Sequence, residues 1–219
     1  MTDEEELLRT LRHETLYYKA ALEIMTAKLQ VLEEELRAEG DRSPIDHIQS
    51  RLKTPEGIID KLRRQNAPLT AEAMERQVQD IAGLRIICPF LRDIDRVAEM
   101  LLRQPDIQLL RRKDYIAHPK PNGYRSLHLI LLVDVHFSDR REGIPVEVQL
   151  RTIAMNCWAA VEHQVRYKKG RALSEAASAL LLECAGLMRQ MDEKGELLVR
   201  ERDRAAQTPP RAEDTESRA

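Results

Sequence analysis

The sequence predicts an α+β fold in which helices flank a β-sheet and one extra helix lies at each end of the chain. Two patterns lead to this class. Apolar residues spaced four and three apart, which are typical of amphipathic helices, occupy both ends of the chain. Between about residues 44 and 170, short helical segments alternate with runs that have the two-residue period of strands. A length of 219 residues and a hydrophobic content of 42% suffice for one domain with a real core.

Residues 1–40 are predicted to form one long amphipathic helix, and Gly40 is a suitable residue to end it. The apolar seam of this helix has 4-3-4-3-4 spacing and consists of Tyr18, Leu22, Met25, Leu29, Leu32 and Leu36. Such a seam packs either on its own domain or against another chain, and the pattern favours neither.

The first half of the central region is predicted to contain two helices and two short strands. Residues 54–56, with the sequence Thr-Pro-Glu, resemble an N-cap, a proline at the first helical position and an acid in the first turn. A β-rich run at 83–88 and a shorter one at 107–110 flank a second helix at 93–102, for which Asp93 is the predicted N-cap.

Two longer strands are predicted at 126–137 and 144–151, joined by a hairpin connection at 138–143. In the first of them, alternate leucines and valines point to one face and His128 points to the other. Because both faces are apolar near its start, we expect this strand to lie inside the sheet. A helix at about 152–167 follows the second strand.

Residues 171–204 are predicted to form a second long amphipathic helix. Its apolar stripe consists of Leu173, Ala177, Leu180, Cys184, Leu187, Met191 and Leu198. This stripe, like the first, suits either the domain itself or an oligomer contact. Residues 205–219 are charged, contain prolines and lack periodicity, so we expect them to be disordered.

The charge and cysteine content narrow the class of protein. Lys and Arg number 35 and Asp and Glu 37, so the formal charge of −2 provides no global field for binding nucleic acid. The first residues do not resemble a secretory signal, and the longest apolar run, Leu129–Val133, is far short of the roughly 20 residues of a membrane span. The three cysteines form no CxxC or zinc pattern. We expect a cytoplasmic protein without a membrane partner.

Anion binding must therefore come from local clusters, and one lies between Arg111 and Arg125. Five bases and one acid give this segment a local charge of +4. Two tyrosines and a histidine are interleaved with the bases, and Gly123 permits left-handed backbone. Cations bind phosphates and an aromatic ring stacks on a base, so the segment suits a phosphorylated nucleoside. A solvated surface loop is the alternative.

A pair of acids forms the second candidate group. Glu147 and Gln149 share one face of a predicted strand, and an unpaired buried carboxylate is costly. Asp80 precedes the strand at 83–88, so the two carboxylates could hold Mg²⁺ against a polyphosphate. The alternative is a salt bridge to an arginine such as Arg151.

The third candidate group is basic. On an extended stretch Arg51 and Lys53 would share one face, and Lys61 follows on the next predicted helix. Arginine can stack on a base and lysine can bind a phosphate as a point charge. A solvated helix and the segment leading into it would explain these residues equally well.

Three separated segments resemble the signature of a known family: DIAGLRI at 80–86, KDYIAHPKPNGYRSLH at 113–128 and VEVQLRT at 146–152. They are similar to the RelA/SpoT-type alarmone synthetase domain over residues 41–170, and the short chain resembles the small alarmone synthetases. The resemblance implies a mixed β-sheet flanked by helices and related to the nucleotidyltransferases.

The resemblance also implies an activity. A GTP pyrophosphokinase with Mg²⁺ as cofactor would transfer the β,γ-pyrophosphate of ATP to the 3′-hydroxyl of GTP or GDP. ATP and GTP or GDP would be its substrates, and the protein would form a homo-oligomer, with a tetramer favoured. RNA is a possible partner that the sequence does not indicate. The alternative is a catalytically inactive nucleotide- or RNA-binding module on the same fold, which would have no use for the two acids.

The resemblance assigns a role to each candidate residue. Asp80 would be the principal Mg²⁺ ligand, and Glu147 would bind or orient the metal or act as the base for the 3′-hydroxyl. Two arginines would sandwich the adenine and two lysines would bind the ATP phosphates, namely Arg51, Arg85, Lys53 and Lys61. Tyr124 would stack on the guanine. The other residues of the GTP side would be Lys113, Lys120, Asn122, His128, Gln149 and Asn156, the last at the guanine edge.

Overall fold

The computed structural model describes the backbone of residues 3–167 and 173–207. In this part of the chain, six helices accompany five strands. The helices are α1 (Asp3–Ala38), α2 (Pro55–Arg64), α3 (Ala71–Gln77), α4 (Leu91–Leu102), α5 (Ile153–Tyr167) and α6 (Glu175–Gln207). The strands are β1 (His47–Leu52), β2 (Ala82–Cys88), β3 (Ile107–Asp114), β4 (Leu127–His136) and β5 (Arg141–Thr152).

The five strands form one mixed sheet in the order β1-β2-β5-β4-β3. The pair β2–β5 is parallel and the other neighbouring pairs are antiparallel. This confirms the α+β class and the mixed sheet, and it places β4 inside the sheet as expected. The strands β3 and β5 are longer than predicted, so the connection between β4 and β5 shrinks to residues 137–140.

The sequence analysis does not predict two of the elements, β1 and α3. The sequence of β1 is His-Ile-Gln-Ser-Arg-Leu, and its residues are exposed or only half-buried. An edge strand of this kind lacks the apolar alternation by which strands are recognised. The helix α3 has only seven residues, although Thr70 caps it by accepting a hydrogen bond from the Ala73 N–H at 3.3 Å.

The core lies on one face of the sheet, beneath α1 and α4. The predicted seam of α1 faces this core, with Met25 and Leu29 fully buried. The seam therefore packs on its own domain. The helix ends as predicted, because Gly40 has a φ of +80° and the N–H groups of Gly40 and Asp41 bond to the carbonyls of Arg37 and Leu36.

The start of α2 is confirmed and that of α4 is corrected. The Thr54 hydroxyl accepts a hydrogen bond from the Gly57 N–H at 3.2 Å, and Pro55 begins α2. In α4 the N-cap is Phe90 rather than Asp93. The buried Asp93 carboxylate instead accepts from the Phe90 N–H at 3.2 Å and from Arg42 at 2.6 Å, a partner far away in sequence.

The helix α6 contacts the domain through a face that the predicted stripe does not include. Its buried residues are Leu181, Ala185, Asp192 and Val199. Four residues of the predicted stripe are exposed by 57–71%, namely Leu180, Leu187, Met191 and Leu198. The helix ends at Gln207 rather than 204, and the rest of the predicted tail, 208–219, lies outside the described residues.

Over residues 3–167 and 173–207, no helix combines sufficient length with sufficient apolarity to cross a bilayer.

Candidate active site

The face of the sheet opposite the core carries polar side chains. On β5, Glu147 and Gln149 alternate with the buried valines of the core side, and Arg151 continues the polar series. The strand register aligns Gln149 with Arg85 on β2 and with His128 on β4. The period of two thus brings residues from three strands onto one surface, as the sequence predicts.

A cleft of about 780 Å³ opens over this surface, between the sheet and one side of α5. Eight of the predicted site residues line it, namely Arg51, Lys53, Asp80, Arg85, Tyr124, Glu147, Gln149 and Asn156. These residues are spread over more than 100 positions of sequence, and the fold brings them into one site.

The carboxylate of Asp80 lies just before β2 and is bound by two lysines. Lys53 Nζ is 3.0 Å from Oδ2, and Lys61 Nζ is 2.7 Å from Oδ1. Burial opposes ionisation of Asp80, but the hydrogen bonds and charges of Lys61 and Lys53 outweigh it and lower its pKa. Both ammonium groups thus stand at a carboxylate in the cleft, which rules out a purely solvated role for Lys53 and Lys61.

Three arginines crowd the centre of the cleft: Arg51, Arg85 and Arg151. The pKa of Arg85 is lowered by burial and then by the charge of Arg151, with a smaller effect of Arg51. Within the described residues, the buried Nε atoms of Arg85 and Arg151 have no hydrogen-bond partner. Such a surplus of positive charge favours an anionic ligand.

Glu147 stands at the centre of the polar face, between β4 and β2. His128 Nδ1 lies 3.1 Å from its Oε1, and the Gln149 amide donates to its Oε2 at 2.8 Å. Burial would raise the pKa of Glu147, but His128 and Gln149 outweigh burial and lower it, against the charge of Asp80. The predicted alternative, a salt bridge to Arg151, is not formed, because Arg151 donates elsewhere.

The hydroxyl of Tyr124 joins Arg151 to His128. Arg151 Nη2 donates to Tyr124 Oη at 2.7 Å and to Gln149 Oε1 at 2.8 Å. Tyr124 Oη lies 2.7 Å from His128 Nε2. With the imidazole proton on Nδ1, the tyrosine donates to His128 and His128 donates to Glu147, which closes a circuit of hydrogen bonds through these five residues.

The loop that carries Tyr124 is shaped by local hydrogen bonds. Gly123 has a φ of +88°, as predicted for a left-handed position. The Tyr124 N–H donates to Asn122 Oδ1 at 3.2 Å, and the Asn122 amide donates to Glu162 on α5 at 3.4 Å. Lys120 Nζ lies 4.9 Å from the centre of the Tyr124 ring, so a cation occupies one side of the ring.

Of the predicted residues outside the lining of the cleft, most still contact it. Lys61 reaches Asp80, His128 reaches Glu147, and Asn122 and Lys120 contact Tyr124 or its backbone. Lys113 is exposed on β3, where its register partner is His128.

Sequence reasoning assigned no site role to three ionisable residues that line the cleft, namely Arg151, Glu162 and His163. Arg151 follows the same alternation as Glu147 and Gln149, so the pattern contained its signal. The two residues on α5 had none, because only the packing of that helix decides which of its sides faces the cleft.

The chemistry of the two acids in the cleft fits a divalent cation such as Mg²⁺. Within the described part of the chain, no three Asp, Glu, His or Cys residues cluster as a metal site would require. Asp80 and Glu147 both line the cleft, close enough for the charge of one to affect the pKa of the other. Mg²⁺ typically takes one or two carboxylates and completes its octahedron with water and substrate phosphates, which this donor set allows.

Comparison with known proteins agrees with this geometry. The family model for the region found in RelA and SpoT proteins matches residues 50–172. GTP pyrophosphokinase YwaC of Bacillus subtilis is 39% identical over 89% of this chain and 92% of its own. GTP pyrophosphokinase YjbM of the same organism is 38% identical over 81% of this chain and 82% of its own.

A solved structure shows the same architecture. Small alarmone synthetase 1 from B. subtilis, bound to its product pppGpp, superposes with a TM-score of 0.81 at 35% identity, over 88% of this chain and 98% of that one. A GTP pyrophosphokinase family protein from Streptococcus pneumoniae gives a TM-score of 0.80 at 32% identity, over 96% and 100%. The chain therefore belongs to the RelA/SpoT family and, within it, to the small alarmone synthetases.

Proposed function

We propose that this chain is a GTP pyrophosphokinase that transfers the β,γ-pyrophosphate of ATP to the 3′-hydroxyl of GTP or GDP. One observation carries the proposal. A single cleft, lined by three arginines, joins a carboxylate held by two lysines to a carboxylate held by a histidine and a glutamine amide. The first group suits a polyphosphate donor and the second suits a nucleoside acceptor.

The donor half would bind ATP at the β1–β2 end of the cleft. Arg51 and Arg85 lie on neighbouring strands and would enclose the adenine between their guanidinium planes. Binding would draw the ammonium groups of Lys53 and Lys61 from Asp80 toward the phosphates. Asp80 would then be available as a ligand for the accompanying cation.

The acceptor half would bind GTP or GDP at the loop before β4. Tyr124 would stack on the guanine once Lys120 leaves its ring, and Lys120 and Lys113 would then meet acceptor phosphates. Asn122, Gln149 and Asn156 offer amide groups on the same side, of which Gln149 and Asn156 line the cleft.

The transfer step would be a displacement at the β-phosphorus of ATP. The 3′-oxygen of the acceptor forms a bond to this phosphorus while the bond to the oxygen bridging to the α-phosphate breaks, and AMP leaves. The proton of the 3′-hydroxyl would pass to Glu147, which its lowered pKa keeps ionised at neutral pH. Positioning and charge neutralisation dominate reactions of this kind, so a weak base suffices.

We also propose Mg²⁺ as the cofactor, held by Asp80 and Glu147. When bound, the ion supplies neutralisation of the charge on the transferred phosphates. The protein residues fix where the phosphates lie, because Lys53, Lys61 and the arginines surround that part of the cleft.

The experiment that tests the function is incubation with radiolabelled ATP, GTP and Mg²⁺, followed by chromatography of the products. We expect a guanosine product that carries pyrophosphate at the 3′ position. Asp80→Ala and Glu147→Gln should each abolish transfer, and omission of Mg²⁺ should have the same effect.

A matched control separates this result from a general loss of charge. Glu99→Gln removes an exposed acid of α4 that pairs with Arg103, and it should transfer at the wild-type rate. Full transfer by both Asp80→Ala and Glu147→Gln would show that the acid pair is not required for the reaction. Binding of both nucleotides by the wild-type protein without any product would favour the alternative, an inactive binding module.

We further propose a cytoplasmic homo-oligomer, with the tetramer that the resemblance favours. The exposed apolar stripe of α6 supports assembly, since large exposed patches mark interaction sites. The free thiols of Cys88, Cys157 and Cys184 support a reducing compartment.

A further inference from the structure

The helix α6 lies outside the matched family region, yet it contacts the loop that carries Tyr124. Arg125, the next residue of the loop, donates from Nη1 to Asp192 Oδ2 at 2.7 Å. The two side chains are only 9% and 3% exposed. A buried ion pair thus joins α6 to the residue beside the guanine-site tyrosine.

Two further contacts tie the same helix to the same loop. A Cβ on Gly123 would lie 2.5 Å from the Cβ of Ala185, so the loop backbone passes directly against α6. Trp158 of α5 donates from Nε1 to the Leu181 carbonyl at 2.9 Å, and its ring centre is 6.3 Å from that of Tyr124. Leu181, Ala185 and Asp192 lie on one side of α6, so this side of the helix forms the support of the loop.

We propose that α6 positions the guanine site and that Asp192 is the positioning residue. Asp192 holds Arg125, which fixes the backbone of the adjacent Tyr124 and the direction of its ring. The inference rests on the proposed function to the extent that Tyr124 binds the guanine. Asp192 does not line the catalytic cleft; it reaches the loop through Arg125, and a second side-chain hydrogen bond joins it to Thr152 at the end of β5.

The structure predicts which substrate depends on this support. Removing one partner of a buried ion pair leaves the other charge uncompensated, so the loop would shift to expose Arg125 to water. Tyr124 would move with it. The groups proposed for ATP, Lys53 and Lys61, are bound to Asp80 before β2, and among the described residues they form no ion pair with this loop or with α6. Removal of the ion pair should therefore weaken the binding of GTP and leave the binding of ATP unchanged.

The test compares two substitutions on α6. Asp192→Asn keeps the shape of the side chain and removes its charge. We expect it to raise the KM for GTP roughly tenfold, while the KM for ATP and the kcat at saturating GTP stay close to wild type. The matched control is Glu196→Gln, one turn further along α6, whose carboxylate binds Arg92 of α4 and not the loop. Glu196→Gln should leave both KM values unchanged.

Trp158 provides a second measurement, because it is the only tryptophan of the chain. GTP should change its fluorescence in the wild-type protein through Tyr124, and the midpoint of this titration should rise in Asp192→Asn to the same extent as the KM. Equal increases of both KM values in Asp192→Asn, or identical behaviour of Asp192→Asn and Glu196→Gln, would overturn the inference.

The outcomes for this inference and for the proposed function differ. A wild-type protein that makes no guanosine product contradicts the proposed function. A wild-type protein that makes the product, with an Asp192→Asn variant of unchanged GTP titration, contradicts the positioning role alone. If Asp192→Asn does not fold, Arg125→Lys replaces it in the test, because this variant keeps the charge pair but alters its geometry. Arg125→Lys should raise the KM for GTP and leave the KM for ATP unchanged. An unchanged KM for GTP would reject the positioning role.

Discussion

At the scale of single residues, Tyr124 has two separable functions in the cleft. Its ring is the proposed guanine platform, and its hydroxyl links Arg151 to His128. Tyr124→Ala should weaken GTP binding by roughly 1–3 kcal/mol, the usual worth of one base–aromatic stack, with little effect on ATP. Isothermal titration with each nucleotide measures this.

Tyr124→Phe is the control that keeps the ring and removes the hydroxyl. It should bind GTP almost as the wild type does, but transfer pyrophosphate more slowly, because the circuit to Glu147 is broken. Equal losses of GTP and ATP affinity in Tyr124→Ala would exclude the stacking role.

The acids of the cleft also predict how stability depends on pH. The pKa values of Asp80 and Glu147 lie below their ordinary values of 3.8 and 4.5. As the pH falls, both acids therefore bind protons in the unfolded chain before they do so in the folded protein. Their stabilisation of the folded protein is fully present above the ordinary pKa values, and it is lost as the pH falls through the lower folded-state pKa values. The contribution of Asp192 to this pH dependence has the opposite sign, because burial raises the pKa of its carboxyl group.

Urea unfolding at about pH 7 and about pH 3 checks this dependence. The wild type should lose stability at the lower pH, and Asp80→Asn should lose less between the two conditions because it has one acid fewer to protonate. An unchanged difference in Asp80→Asn would show that the lysine pair does not stabilise the folded protein.

At the scale of elements, α1 is part of the domain core. Leu29 is fully buried under the sheet, whereas Val31, two residues later on the same helix, is 63% exposed. Leu29→Ala should lower the free energy of unfolding by about 2–5 kcal/mol, because it leaves a cavity in a packed core. Val31→Ala should change it by less than about 0.5 kcal/mol. Chemical denaturation of both variants gives the two values, and similar values would contradict the packing of α1.

Elements also show where sequence patterns stop being sufficient. The faces of β4 and β5 follow from alternation, since neighbouring side chains of a strand must point to opposite sides. The predicted stripe of α6 is not the side that packs on the domain, because this helix has apolar residues on more than one side. Leu180 and Leu181 are adjacent and of the same residue type, but only Leu181 is buried. Which side packs depends on α5 and on the Tyr124 loop.

At the scale of the whole molecule, the exposed stripe of α6 bears on assembly. Leu187→Glu combined with Leu198→Glu places charges on two side chains that are 61% and 71% exposed in one copy. We expect the wild type to form a homo-oligomer and the double variant to shift toward smaller species, because burial of unpaired charges is costly. Size-exclusion chromatography with light scattering measures the masses.

A control for this experiment replaces Glu193 and Arg189, an exposed i,i+4 pair on α6, by alanines. This variant should keep the wild-type mass. A double variant with the wild-type mass would place the interface elsewhere, and a monomeric wild type would exclude the oligomer.

The sequence by itself determined the fold class, the two long strands and their polar faces, and the three segments that carry the family signature. These are local properties: a period of two sets the face of a strand, and a short motif needs only its own residues. The joint position of Asp80, Tyr124 and Glu147 in one cleft followed from the family resemblance and is realised by the strand register.

Only the tertiary structure decided the partners that are distant in sequence. Asp93 is not the N-cap of α4 and pairs with Arg42, Arg151 binds Tyr124 instead of Glu147, and Asp192 reaches back to Arg125. A charged side chain can satisfy its hydrogen bonds with any partner that the fold brings near. The choice among partners is therefore a property of the packed chain.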